Sequence, residues 1–336
     1  MTSLPDQDIF TFTEENSVEL IDETMRWRAR DVSFLKGGWD ALSKRIPKFT
    51  TEDFKAVHDG PANPYIRTVV RQPLSIFEHP IPVGVVSNTY QLAQHADVLL
   101  QCFKALQKHH IDPYVLRCEV GLTPLGEWMN FRAYFPDEYS FKARDGEKLE
   151  LRLECFNSVD GSSRLVILLG WFRFVCANGL IIGETKAALR DIHDEHLDLK
   201  VIPEIISKGL AKVNADIKRL QEWEKYPVEL PKIENWVDDH LAKQWGKKAA
   251  CRTLHICRTG DDVEITNPFE GGKPSEKLTK KLNDVPGAAQ PASNLYDISQ
   301  ALSWVATHRN SADERLEWQG DITKMIEHLR RYLKAA

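Results

Sequence analysis

A single Asp-Gly pair near the middle of the chain separates two strand-like stretches, and it constrains how that region can fold. Before it, Leu149-Glu150-Leu151-Arg152-Leu153-Glu154-Cys155-Phe156 alternates leucine with charge, the period of a strand whose two faces meet different surroundings. After it, residues 164–176 are almost uniformly apolar, as in a central strand. Asp160-Gly161 between two such runs predicts a hairpin, because a type I′ turn needs positive φ at both central residues. Asn157 and Ser158 at the strand exit, and Ser162 and Ser163 at the re-entry, carry side chains that hydrogen-bond backbone in turns.

The same period extends upstream. Residues 115–122, 128–135 and 141–144 read as further strands, giving an antiparallel β-meander of about five. A helix over about 93–110 precedes them, with Ala93, Ala96, Leu99, Leu100, Phe103 and Leu106 in one stripe and Pro113 as its stop. A long helix over 202–223 follows, then helices over 234–245, 295–308 and 311–333. Val18, Ile21, Met25 and Trp27 predict another helix at 17–30, and residues 39–80, rich in proline, read as loop before a short strand at 80–86. Residues 267–293 read as an exposed loop around a short helix at 276–282. The expected fold class is α+β: a meander sheet with a helix before it and a long helix after it, then a mainly helical part. The expected organisation is 1–80, N-terminal helix and proline-rich segment; 81–230, central α+β domain; and 231–336, helical C-terminal region.

Charge narrows the function classes. The chain of 336 residues carries a formal net charge of −5. Residues 1–60 hold 8 Lys/Arg against 12 Asp/Glu, and the remainder is nearly balanced. A duplex-binding protein draws its affinity from phosphate neutralisation and shows a strong basic field; any such surface here is a local patch. Candidates are Arg26, Arg28 and Arg30; Arg67 and Arg71; and Lys108, His109 and His110, each also readable as a solvated face. No apolar run approaches the roughly 20 residues of a membrane span, so no membrane partner is expected. The N-terminus lacks the pattern of a secretory signal, and a cytoplasmic location follows as the default. The six cysteines read as reduced, mostly buried thiols, with Cys251 and Cys257 in a strand or hairpin.

No phosphate-binding glycine loop, nucleophile elbow or His-Glu-x-x-His motif is present, so no catalytic residue, cofactor or metal is expected and the reading leans against an enzyme. His193 and His196, with Asp194 and Glu195 between them, could hold a divalent metal or form a polar loop. Arg173 in an apolar strand needs a partner, with Asp160 and Glu154 available. It is either a structural clamp or a contact to an anion.

The block Asn157-Ser158-x-Asp160-Gly161-Ser162-Ser163, followed by Gly170-Trp171-Phe172-Arg173-x-x-Cys176-x-Asn178-Gly179-Leu180, resembles the signature of the phage/plasmid-like domain-of-unknown-function proteins. So does Asn294-Leu295-Tyr296-Asp297-Ile298-Ser299-Gln300-Ala301-Leu302, and the likeness covers about residues 80–310. Val159 stands where that family usually has histidine. The resemblance implies a mobile-element protein encoded near recombination, repair or anti-restriction genes, and it implies no activity. Two readings stand. The first is a nucleic-acid-binding accessory for single-stranded DNA, related to recombination or annealing. Its candidate site is the motif itself, with Arg164, Trp171, Arg173 and Asn178. Trp128, Tyr134, Arg132 and Arg152 would add a basic, aromatic groove. The second is a non-enzymatic protein-binding factor whose partner is a host protein, as in counter-defence or anti-restriction. A homo-oligomer is compatible with either.

Overall fold

The computed structural model describes residues 18–335, apart from 144–145, 147, 174–177, 181–188, 192, 195, 266–268, 271–272, 275–278, 286–287 and 310–311. In chain order the elements are β1 (Glu19–Trp27), β2 (Arg30–Gly38), α1 (Trp39–Ser43), β3 (Phe49–Lys55), β4 (Ala62–Arg71), β5 (Ile81–Ser87), α2 (His95–Lys108), β6 (Arg117–Leu122), β7 (Trp128–Tyr134), β8 (Ser140–Lys142), β9 (Lys148–Ser158) and β10 (Leu165–Arg173). They continue as β11 (Asn178–Leu180), β12 (Leu189–Asp191), α3 (Ile202–Leu210), α4 (Val213–Lys225), α5 (Leu230–Trp236), α6 (Ala242–Gln244), α7 (Lys247–Thr259), β13 (Asp261–Ile265), β14 (Phe269–Glu270), β15 (Lys273–Pro274), β16 (Thr279–Asp284), α8 (Leu295–Thr307) and α9 (Ala312–Ala335).

The fold is α+β, with an antiparallel main sheet in the order β1-β2-β6-β7-β9-β10-β11; β8 adds to β9 and β12 to β10. The meander expected from the sequence is the middle of this sheet, β6 to β10. Leu149, Leu151, Leu153 and Cys155 of β9 face the main core beneath α2 and the later helices. Burying each leucine is worth roughly 2 kcal/mol. A one-residue slip would move all of them to the other face, so this run fixes the register. The opposite face is not solvent, as leucine-in and charge-out alternation suggests. Arg152 and Glu154 are both buried there, with Glu23 of β1 and Arg315 of α9 joining the same ion network.

Several expectations are corrected. The helix expected at 17–30 does not form over the described residues 18–30: β1 and β2 form a hairpin closed by Arg28 at φ 54°. Met25 and Trp27, two apart, pack with Val32, Phe34 and Trp128, a period-two pattern that overlaps the helical spacing of Val18, Ile21 and Met25. Residues 39–80 are not mainly loop but supply β3 and β4, which with β5 form a separate three-stranded sheet. Its prolines occupy strand ends and the irregular stretch around Pro64, where no ladder bond is interrupted. The helix of 202–223 is two helices, α3 and α4. Cys251 and Cys257 lie on helix α7, and residues 279–284 are strand β16, paired with β13. The Asp160-Gly161 turn is not type I′. Gly161 alone of the pair has positive φ (74°), and residues 159–164 make a longer loop.

Candidate nucleic-acid interface at the 158–164 loop

The loop is built by its own side chains. Ser158 Oγ accepts from the Ser163 N–H (2.9 Å) and donates to the Ser163 carbonyl (3.1 Å), while Asp160 Oδ1 accepts from the Ser162 N–H (3.0 Å). Val159 is fully buried against Phe49, Val69 and Val86, so this position is an apolar anchor onto the small sheet. Asn157 Nδ2 donates to the Ala93 carbonyl and to His95 Nδ1, both at 2.9 Å. His95 Nε2 bonds the Gly126 carbonyl at 2.9 Å. Burial pushes the His95 pKa down to about 4, outweighing the opposing bond to Gly126, so the ring is neutral. Asn157 and His95 are therefore positioning residues that tie the loop to the start of α2 and to the β6–β7 turn.

The outer side of the loop is held by the β1–β2 turn. Trp27 Nε1 donates to Ser162 Oγ (3.1 Å) and Arg28 to the Ser162 carbonyl (3.0 Å). Arg30 pairs with Glu127 and, at 3.5 Å, with Asp160. Trp27 is stacked on Trp128, with centroids 5.0 Å apart. Arg28 and Arg164 are exposed on this edge, and the Arg30 side chain is 44% exposed. Beside it runs a groove of about 750 Å³, lined by Tyr90, Ser162, Ser163, Arg164 and His193, with Asp194 and Glu317 also lining it. Tyr90 stacks on His193 at 5.2 Å and donates to the Ser158 carbonyl at 3.3 Å. Burial pushes the Tyr90 phenol well above its usual range.

The second group of nominated residues lies elsewhere. Trp128 and Trp171 are each 1% exposed, and Arg132, Tyr134 and Arg152 are buried. Arg132 bonds Glu23 (2.6 and 2.9 Å) and Glu154 (3.2 Å), Arg152 bonds Glu154 (2.6 Å), and the Tyr134 hydroxyl donates to Glu119 (2.8 Å). Burial would raise the Glu23 carboxyl, but the charge and hydrogen bonds of Arg132, with Arg315 beyond, hold it down at about 2. Arg132, Tyr134, Arg152 and Trp128 belong to the second face of the sheet and Trp171 to the main core, and no strand of nucleic acid can stack on them. Of the motif residues, Asn157, Ser158 and Asp160 to Arg164 come together at the loop. Trp171 is remote in the core. Arg173 and Asn178 pair through backbone, and their side chains lie outside the described residues. The carboxylates nominated as partners of Arg173 meet other arginines: Asp160 meets Arg30, and Glu154 meets Arg132 and Arg152.

His193 and His196 differ in their surroundings. His193 is buried at the groove, His196 is exposed, and Glu195 lies outside the described residues. Among the described residues no cluster of three or more His, Cys, Asp or Glu could hold a metal ion, and no helix is long and apolar enough to cross a membrane. Sequence reasoning missed Trp27, Tyr90, His95 and Glu127. The flag on Arg26, Arg28 and Arg30 was the available signal, and a period-two reading of that stretch would have placed them on a hairpin.

A family model described as Domain of unknown function (DUF932) matches residues 82–315, which takes in the 158–164 loop but not the β1–β2 turn that grips it. No curated protein and no solved structure matches the chain. With more than two thirds of its length covered by that family model, the chain belongs to the Domain of unknown function (DUF932) family.

Proposed function

We propose that the protein is a non-enzymatic accessory of a mobile genetic element that binds single-stranded DNA along the outer edge of the 158–164 loop. The observation that carries this reading is the convergence of Arg28, Arg30 and Arg164 on one hydroxyl-rich loop that bounds a groove. Guanidinium groups bind phosphate through paired donors, and the Ser162 and Ser163 hydroxyls add neutral donors. With Trp128 and Trp171 buried, stacking platforms contribute little, so binding is sequence-tolerant and carried by phosphate contacts. Asp194 and Glu317, which also line the groove, repel the phosphate backbone and favour the arginine edge. The test is a fluorescence anisotropy titration of a labelled oligonucleotide. Salt-sensitive binding that Arg28→Glu with Arg164→Glu weakens at least about tenfold supports the reading, and no binding at low salt overturns it.

A second reading, a factor that binds a host protein in counter-defence, is favoured by one observation. Ile76 and Phe77 stand 91% and 87% exposed on the β4–β5 connection, and large exposed apolar side chains in one place mark interaction surfaces.

A further inference from the structure

The two ends of the small β3–β4–β5 sheet differ in shape and charge. At one end the β4–β5 connection presents Ile76 and Phe77, and the loop behind them is built. The Glu78 carboxylate accepts from buried Arg71 (2.8 Å) and from the Leu74 N–H (3.0 Å), while the Glu78 N–H closes a turn onto the Ser75 carbonyl (3.2 Å). A knob held in this way loses little conformational freedom when it binds. On the open face toward the other end lies a groove of about 830 Å³, walled by Phe54, Val57, Pro82 and Val85 over the buried Val70. The other face of the sheet is already committed to Phe49, Val69, Val86 and Val159.

Charge follows the same polarity. Exposed Arg45 and Lys48 enter β3 beside the knob, where the Gln72 N–H donates to the Lys48 carbonyl at 2.8 Å. Exposed Glu52 and Asp53 line the groove itself, with Lys55 and His58. The knob is apolar with cations beside it, and the groove joins an apolar surface to two carboxylates and one lysine, so the two differ in sign. They sit on different parts of one chain, so a contact between copies would be heterologous, and such contacts close into rings or continue as filaments.

We propose that the chain assembles head to tail, the Ile76–Phe77 knob of one copy seating in the Phe54–Val57–Val85 groove of the next. Val85 also lines the groove at the 158–164 loop, so successive copies would bring their arginine edges into series.

Sedimentation velocity of the full chain tests this. Wild type should shift to larger species with rising concentration, whereas a knob variant (Ile76→Glu with Phe77→Glu) and a groove variant (Val57→Glu) should each remain monomeric. All three positions are exposed, so circular dichroism melts should match wild type. Mixing the two variants restores one intact knob and one intact groove and should give a 1:1 dimer that grows no further. A monomeric wild type at every concentration, variants that assemble like wild type, or a mixture that stays monomeric would each overturn the proposal.

Discussion

Gly84 of β5 and Asp160 of the motif loop touch at a separation that leaves no room for a side chain on the glycine. A Cβ built on Gly84 would stand 2.6 Å from the Asp160 Cβ and 2.8 Å from its Cα. The small sheet thus abuts the loop backbone directly, with Val159 buried beside it. Gly84→Ala must push the loop away, and overpacking of this kind costs about 1–3 kcal/mol. A lowered urea midpoint together with weakened oligonucleotide binding is expected, and an unchanged midpoint would show that the loop does not bear on β5.

The neutral His95 makes the loop's anchorage sensitive to acid. Its folded pKa lies below the unfolded value, so the unfolded chain binds more protons as pH falls. Stability is therefore fully present above the ordinary value of 6.5 and is lost as pH drops toward about 4. The full shift corresponds to about 3 kcal/mol. His95→Gln should be less stable at neutral pH and should lose less stability across that window, as read by thermal melts at a series of pH values. A variant whose profile matches wild type would count against this role.

Glu23 carries the complementary acid dependence at lower pH. Its folded pKa of about 2 lies below the ordinary 4.5, so its stabilisation is present above 4.5 and is lost as pH falls toward 2. Glu23→Gln leaves Arg132 and Arg315 without that carboxylate in a buried network, a change worth about 3 kcal/mol or more. Equilibrium unfolding at pH 7 checks it. A loss below about 1 kcal/mol, the range of exposed pairs, would mean that the other carboxylates suffice.

Cys102, Cys118, Cys155, Cys251 and Cys257 are buried and unbridged. Burial pushes the Cys118 thiol well up, and thiolate is the reactive form. Native protein should therefore show at most one fast thiol toward Ellman's reagent, Cys176 being outside the described residues, and all six after unfolding. Rapid reaction of several thiols in the native state would contradict this packing.

The meander was legible because β9 alternates strictly, β10 is a near-continuous apolar run, and a turn signal separates the two. The β1–β2 hairpin was not, since Val18, Ile21 and Met25 satisfy a helical spacing as well, and only packing against Trp128 decides for strands. The motif loop was located by Asp160-Gly161 and its serines, but accessibility was not written in residue type. Arg152 alternates with leucines as a solvent-facing arginine would, and Arg132 stands between Phe131 and Ala133 in the same period; on the folded sheet both meet Glu154 of β9, and Glu23 of β1 and Glu119 of β6 also meet Arg132. Arg28 and Arg30 are the reverse case, cations in an acidic segment that the fold delivers to a loop more than a hundred residues away.

The arginines at the loop edge, and not the buried ones, are the groups proposed to meet the nucleic acid. The most direct measurement is the salt dependence of oligonucleotide affinity for wild type and for Arg28→Ala with Arg164→Ala. Each lost phosphate contact on a single strand lowers the log–log slope by about 0.7. A slope shallower by roughly 1 to 1.5 is expected for the double variant. A double variant that binds with wild-type affinity and slope would contradict it.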